Sequence, residues 1–155
     1  NEPALALLDF AHAINLAPTN TDYLFNRGLL YSELKDYESA LEDFSGAIRL
    51  KQSMDLNVFP VPGQRMARID PRHSKPYVGR GRVYLQMKDS DKAVIDARSA
   101  IQLLEGNLKM PEWTSYRRGI NLQLADAHEL LGDVFTQLGN TAEAQSEYQI
   151  VALLR

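Results

Sequence analysis

The chain has 155 residues and a formal net charge of −3, with 45% hydrophobic and 24% charged residues. This composition excludes a disordered chain and a broadly nucleic-acid-binding one. The absence of cysteine excludes disulfides, thiolate metal sites and cysteine nucleophiles.

The sequence shows neither an apolar run long enough to cross a bilayer nor a signal peptide. The chain begins at Asn1, and its last segment, AEAQSEYQIVALLR, keeps a helical pattern up to Arg155. We therefore expect a segment of a longer protein, for which missing targeting signals carry little weight. The compartment is not determined, although the cytoplasm is favoured.

The first predicted element is a single helix within residues 1–20, where Ala6, Phe10 and Ala13 recur at helical spacing before Pro18. Residues 21–54 then predict two helices joined by the polar turn KDYESA, in which Asp36 is placed to cap the second helix. Counted from Gly28, small and aromatic residues follow at +3, +12, +16 and +19, namely Tyr31, Ala40, Phe44 and Ala47. Because Ala6 precedes Ala40 by one period of roughly 34 residues, the first helix corresponds to the second half of another pair.

The same offsets recur from Gly81, within residues 74–107, and from Gly132, within residues 125–155. They give Tyr84, Ala93, Ala97 and Ala100 after Gly81, and Phe135, Ala144, Tyr148 and Val151 after Gly132. Small residues let two antiparallel helices approach closely, and the aromatic residues fill the remaining gap. Helix caps are expected at Asp89 or Ser90, and at Asn140 or Thr141. The chain therefore predicts an all-α stack of helix pairs.

Two insertions, of 19 and 17 residues beyond the 34-residue period, separate the copies and should project from one edge of the stack. The first, residues 55–73, contains Pro60, Pro62, Gly63 and Pro71, which predict a loop with one short helical turn at 64–68. This loop either caps its edge or contributes Phe59, Arg65 and Arg68 to a partner site.

The second insertion, residues 108–124, predicts an N-terminal extension of the next first helix. Pro111 suits a first helical position. Trp113, Tyr116, Ile120 and Leu124 then form an apolar stripe that continues to Leu131. If the insertions only cap their edge, Trp113 and Tyr116 would bury Val58 and Phe59.

The small–aromatic–Ala–aromatic–Ala series, together with Pro18 at the end of INLAP, resembles the tetratricopeptide repeat family. Gln52 and Glu105 replace that proline in the later copies. The resemblance covers about three-quarters of the chain. It implies one domain over residues 1–155, a right-handed α-solenoid of antiparallel helix pairs with two inter-repeat insertions. It also implies a non-catalytic scaffold that binds a protein or peptide within a larger assembly.

Catalytic and metal-binding patterns are missing from the sequence. His12, His73 and His128 are its only histidines, and no two have the spacing of metal ligands. The glycines of RGR at 80–82 and SGA at 45–47 lie in helical patterns rather than in phosphate-binding or nucleophile turns. We therefore expect no enzyme activity, no cofactor and no metal.

In stacked helix pairs the first helices line the concave face, the usual binding surface of such arrays. Their offsets from the three glycines predict a groove that is apolar at the first copy, basic at the second and acidic at the third. The predicted groove residues are Asp22, Phe25, Asn26, Leu29, Lys75, Val78, Arg82, Asp126, Glu129 and Asp133. Alternatively, its two cations serve inter-repeat ion pairs, Asp22–Lys75–Asp126 and Arg82–Asp133.

One subclass of the family holds the C-terminal carboxylate of chaperone tails in an Asn/Lys/Arg clamp, which offers a co-chaperone alternative. Asn26 and Lys75 match that clamp, but Gly79 stands where its arginine is expected, and Arg82 lies one turn further on.

An alternative of a different class is a nucleic-acid-binding or enzyme-associated domain that uses the basic stretch 65–88. The acidic residues that follow and the net charge argue against nucleic acid. The apolar face of YQIVALL is available for self-association or for further residues, so the oligomeric state stays open.

Overall fold

The computed structural model of the chain describes residues 2–56, 71–109 and 111–155. Seven α-helices and two 3₁₀ turns, without any strand, make up the secondary structure of these residues. The helices are α1 (Glu2–Leu16), α2 (Thr21–Glu33), α3 (Tyr37–Leu56), α4 (Lys75–Gln86), α5 (Ser90–Leu108), α6 (Arg117–Gln137) and α7 (Thr141–Leu154). The 3₁₀ turns are Pro71–Ser74 and Pro111–Tyr116. The predicted all-α fold is confirmed.

The helices fall into two compact units. Unit 1 spans Asn1–Arg68 and holds α1, α2 and α3, with α2 packed against both of the others. Unit 2 spans Ile69–Arg155 and holds α4 to α7, in which each helix packs against the next and α4 also touches α6. Three helix pairs therefore stand in the order that the repeated offsets predicted: α2 with α3, α4 with α5, and α6 with α7.

The three pairs share one turn geometry. The residue after each first helix's C-cap has a positive φ: Lys35 (61°), Lys88 (64°) and Gly139 (77°). The next backbone N–H donates 2.9 Å back to the carbonyl of the aromatic residue, as in Asp36 to Tyr31. This is the Schellman arrangement, which satisfies carbonyls that would otherwise be left unbonded at the helix end.

The residue that ends each turn caps the following helix. Asp36 accepts 3.2 Å from the Ser39 N–H, and Asp89 accepts 3.2 Å from the Lys92 N–H. Asp89, rather than Ser90, is therefore the cap of α5, while Asn140 takes this place on α7 without a side-chain bond. The Lys92 ammonium and its backbone N–H lower the pKa of Asp89. This cap therefore stabilises α5 at neutral pH and is lost as the pH falls through the lowered value.

Substitution of Lys88 by glycine should stabilise the protein. A left-handed conformation costs a residue with a Cβ about 1 kcal/mol, and glycine avoids this cost, as Gly139 already does. Urea denaturation of Lys88→Gly should show a higher free energy of unfolding than the parent chain. Lys88→Ala removes the same side chain but keeps the strain, so an equal gain in both variants would contradict this explanation.

The core lies where the offsets predicted close helix contact. Ala40, Phe44 and Ala47 on α3 are completely buried, as are Ala93, Ala97 and Ala100 on α5. A Cβ added at Gly28 would lie 3.0 Å from the Phe44 ring, and one at Gly132 would lie 2.7 Å from the Tyr148 ring. Glycine is therefore favoured at these two positions because an aromatic side chain of the paired helix occupies the space that a Cβ would take.

The second insertion lengthens the first helix of the third pair. α6 begins at Arg117, about four turns before Gly132, whereas α2 begins at Thr21, about two turns before Gly28. Ile120 and Leu124 are 1% and 5% exposed and pack with Leu104 of α5. The predicted apolar stripe was wrong at Tyr116, which is 61% exposed and lies in the 3₁₀ turn before α6, while Leu131 is buried as predicted. The side chain of Trp113 lies outside the described residues.

The predicted loop of the first insertion, with its helical turn at 64–68, lies mostly outside the described residues, as do Phe59, Arg65 and Arg68. Its two flanks are described: α3 continues to Leu56, and the 3₁₀ turn Pro71–Ser74 leads into α4. None of the helices in the described part of the chain combines the length and apolarity that a membrane crossing requires.

Candidate interaction surfaces

The predicted groove residues of unit 1 lie on α2. Asp22, Asn26 and Leu29 lie on its outer side, where Leu29 is 39% exposed and Asp22 is exposed as well. Phe25 is half-buried because its ring packs against that of Phe44, with the centroids 5.8 Å apart. This face therefore offers one acid, one amide and one leucine to solvent, and Phe25 supports them from beneath.

The predicted groove residues of α4 divide into exposed and buried ones. Lys75 and Arg82 reach solvent, with 51% of the Arg82 side chain exposed. Val78 is only 8% exposed and belongs to the core of unit 2. It therefore lies beneath this face and is not available for contact with a ligand. Gly79, at the position where a carboxylate clamp has arginine, is buried.

The third set lies along α6, where Asp126, Glu129 and Asp133 follow one another at helical spacing. Each has a partner from outside α6. The Arg82 Nη2 of α4 lies 3.6 Å from Glu129, and the Tyr148 hydroxyl of α7 donates 2.7 Å to Asp133. The predicted pair of Arg82 with Asp133 is therefore replaced by one with Glu129.

Arg155, which was not among the predicted groove residues, also lies on this surface. Its guanidinium lies 3.0 Å from Glu129 and 3.4 Å from Asp126. The hydrogen bonds to Glu129 raise the pKa of Arg155 above its usual value. No local pattern indicated this contact, because Arg155 follows α7 while its two carboxylates lie on α6.

These ion pairs are exposed, so a charged ligand can replace one partner of each pair. The side chains of Asp126, Glu129 and Arg155 are 52%, 34% and 45% exposed. Exposed pairs of this kind contribute little to stability, because water screens the charges and both side chains lose freedom. A ligand with charges of its own can therefore replace Arg82 or Arg155 at little cost. We call the face formed by Arg82, Asp126, Glu129, Asp133 and Arg155 the charged face of unit 2.

Two further ion pairs are largely buried and hold the two helices of a helix pair together. Arg27 donates two hydrogen bonds of 2.7 Å to Asp43, and Arg80 donates two of 2.8 Å to Asp96. The bonds to these carboxylates raise the pKa of both guanidinium groups. In each pair the arginine precedes the reference glycine and the acid follows 16 residues later. This repeated spacing is a sequence signal for the two pairs, but helical periodicity alone did not predict them.

The third pair uses different residues for the same contact. Leu131 precedes Gly132, so no arginine is available at that position. The acid of α7, Glu147, instead lies 2.6 Å from the Nδ1 of His128, one turn earlier on α6. Each of the three pairs thus joins its two helices through a carboxylate on the second helix and a nitrogen donor or cation on the first.

The described residues contain no group of three or more His, Asp or Glu side chains that could hold a metal ion. The basic stretch 65–88 is largely engaged or outside the described residues. Arg80 is bound by Asp96, and Arg82 lies beside Glu129. The charges that a nucleic acid would need are therefore partly neutralised by the protein itself.

Comparison with protein-family models matches two segments of the chain to the tetratricopeptide repeat, residues 10–42 and residues 74–103. Among solved structures, a crystal structure of MamA is similar in fold, with a TM-score of 0.62 and 16% sequence identity over 96% of this chain. The chain spans 66% of the length of that MamA chain. The RS-1 ArsTM double mutant of MamA aligns with a TM-score of 0.42 and 16% identity over 98% of this chain and 84% of its own. Comparison with curated proteins found no match.

Proposed function

Because the chain belongs to the tetratricopeptide repeat family, whose helix pairs typically serve protein–protein interaction, we propose that it is a non-catalytic scaffold for a peptide or partner protein. The ligand binds along the first-helix faces of the repeats, and the scaffold acts within a larger assembly. The edge that carries Phe59, Arg65 and Arg68 remains a predicted second contact.

The observation that carries this proposal is the charged face of unit 2. Three carboxylates of α6 lie on it in a row, and arginines flank the row from α4 and from the end of α7. All of these pairs are solvent-exposed, so none is needed to hold a buried charge. A peptide with charges of both signs can form the same bonds, one at Arg82 and another at the α6 carboxylates.

The charges of this face also favour fast and specific association with a ligand. Complementary charges at an interface guide the encounter of two partners and exclude ligands of the wrong sign more than they add affinity. On unit 1 the equivalent helix, α2, contributes the exposed Leu29 beside Asp22 and Asn26. On this unit by itself, an apolar side chain of a ligand is expected to bind beside Leu29.

Reversal of the two exposed groove cations of α4, Lys75 and the Arg82 of the charged face, should weaken binding. Peptides selected on the wild-type chain from a displayed library of random sequences provide the ligand, and their affinity is measured by isothermal titration calorimetry. The double variant Lys75→Glu, Arg82→Glu should bind them at least about tenfold more weakly, because two attractive contacts become repulsive. Arg98→Glu with Lys109→Glu is the matched control, since both residues are exposed on the second-helix side and the charge change is equal.

Equal weakening by the control would mean that net charge rather than this face determines binding. Unchanged affinity in the Lys75/Arg82 variant would place the site elsewhere, first on the 55–73 insertion. A selected peptide that loses its binding on C-terminal amidation would instead support the carboxylate-clamp alternative, because only a clamp recognises the terminal carboxylate.

A further inference from the structure

The groove face of α4 has positions that stay open beside a neighbouring first helix. Lys75, Arg82 and Gln86 are exposed, although α6 packs against α4 and covers Val78. The three open residues lie at −6, +1 and +5 from Gly81. Because a first helix packed alongside leaves these positions uncovered, they face the groove rather than the next helix.

α6 presents the same three positions to solvent. Counted from Gly132 they are Asp126, Asp133 and Gln137, and all three are exposed. We call these residues together with their α4 counterparts the α4–α6 groove. It has three levels along the helices: Lys75 with Asp126, Arg82 with Asp133, and Gln86 with Gln137.

The charge of the α4–α6 groove changes sign across the groove and not along it. Lys75 and Arg82 make the α4 wall basic, whereas Asp126 and Asp133 make the α6 wall acidic. On each helix the two charged residues lie seven positions apart, roughly 10 Å along the axis. A ligand that lies lengthwise between the helices therefore meets a basic wall on one side and an acidic wall on the other.

The two walls do not neutralise each other at their own levels. Lys75 has neither a hydrogen bond nor an ion pair among the described residues. Asp133 accepts a hydrogen bond of 2.7 Å from the Tyr148 hydroxyl, a neutral group that leaves its charge uncompensated. Asp126 lies 3.4 Å from the guanidinium of Arg155, in an exposed ion pair that a ligand cation can replace. The ion pairs predicted across these levels are thus absent, and their charges are available to a ligand.

An extended peptide with alternating charges matches this arrangement. Successive side chains of an extended chain point to opposite sides, so alternating acids and bases place all acids on one side and all bases on the other. At about 3.3 Å per residue, the distance between the two charged levels corresponds to about four residues of such a chain. The Gln86 amide has no partner among the described residues and can bond to the peptide backbone. Gln137 bonds instead to the Leu85 carbonyl, which joins the two walls at this end of the groove.

We propose that the ligand of the α4–α6 groove is an extended segment of a partner protein in which acidic and basic residues alternate. Its acids face Lys75 and Arg82, and its bases face Asp126 and Asp133. This inference rests on the proposed function, since it assigns a charge order and an orientation to the ligand of the same scaffold. A segment with its charges in two blocks would have to cross from α4 to α6 and would meet only one level at a time.

Two synthetic octapeptides of equal composition test the charge order. The probes are EKEKEKEK and EEEEKKKK, both fluorescein-labelled and blocked at their ends so that no terminal charge contributes. Fluorescence anisotropy at low ionic strength should show saturable binding of EKEKEKEK to the wild-type chain. Its affinity should exceed that of EEEEKKKK by about fivefold or more, because only the alternating order contacts both charged levels at once.

Exchange of charges between the walls tests the orientation without a change of net charge. Lys75→Glu with Asp126→Lys reverses one level, so the two levels demand opposite registers, and EKEKEKEK should bind about fivefold more weakly or worse. Adding Arg82→Glu with Asp133→Lys reverses both levels and should restore binding, since a shift by one residue moves every peptide side chain to the opposite side. Arg98→Glu with Glu105→Lys, an exchange between exposed residues of α5, is the matched control and should leave binding unchanged.

The comparison of probes and variants decides the proposal. Equal or tighter binding of EEEEKKKK would overturn it, as would no saturable binding of EKEKEKEK up to about 1 mM. Unchanged binding after the one-level exchange would overturn it as well, and circular dichroism checks that this variant keeps its helices. The proposed function is judged separately, by the peptides selected from the library. If those peptides bind and the two probes do not differ, the scaffold function stands and the charge order assigned to its ligand is wrong.

Discussion

Substitution of Arg80 by methionine should destabilise unit 2 by about 3–5 kcal/mol, because it leaves the carboxylate of Asp96 buried without a partner. The Asp96 side chain is only 2% exposed, and both of its oxygens accept hydrogen bonds from Arg80. Methionine keeps much of the apolar stem, so the charge is the main loss. Urea denaturation followed by the fluorescence of Trp113, the single tryptophan, should show the transition at a much lower midpoint.

Arg82→Met is the control for this experiment, since Arg82 lies two residues further along α4 and its side chain is 51% exposed. It should cost at most about 1 kcal/mol, the scale of an exposed ion pair. Arg80→Met combined with Asp96→Leu should recover part of the lost stability, because no unpaired charge is then buried. Equal costs for Arg80→Met and Arg82→Met would show that the buried pair contributes nothing special.

Substitution of Gly132 by alanine should destabilise the α6–α7 pair by about 1–3 kcal/mol. The new Cβ would lie 2.7 Å from Cε1 and 3.0 Å from Cζ of Tyr148, so the ring must move. Movement of the ring would also stretch the 2.7 Å bond from its hydroxyl to Asp133. Thermal or urea unfolding measures the loss.

The same substitution at Gly119 should have the opposite sign. Gly119 also lies in α6, but no atom lies within 4 Å of a Cβ built there. Alanine should therefore stabilise α6 by up to about 1 kcal/mol through helix propensity alone. If both variants shift stability in the same direction, close packing against Tyr148 is not the reason for glycine at position 132.

The parts of the fold that the sequence predicted well are those set by local patterns. Gly28, Gly81 and Gly132 lie at close contacts between helices, and Ala40, Ala93 and Ala144 are buried as expected. Turn residues such as Asp36 and Asp89 cap helices because their bonds reach only three residues along the chain. Helical periodicity and capping chemistry act over a few residues, so they can be recognised without knowledge of the packing.

The candidate surfaces were predicted less completely. Exposed groove residues such as Asp22 and Arg82 could be placed on first helices by periodicity, but Val78, assigned by the same offsets, belongs to the core. Tyr116 was expected on a buried stripe and is exposed, because the chain before Arg117 forms a 3₁₀ turn. Periodicity gives the angle of a side chain around its helix, but not how much of that angle a neighbouring helix covers.

The sequence by itself determined the all-α repeat, the order of the helix pairs, the turns between them and the small residues at which they meet. The tertiary structure alone decided which polar and charged side chains bind each other: Arg82 and Arg155 with Glu129, Tyr148 with Asp133, and His128 with Glu147. The physical reason is the separation along the chain between the residues in contact. A cap or a turn is formed by residues that are neighbours in the chain. An ion pair or a buried face depends on the distance to another helix, and only the packed structure sets that distance.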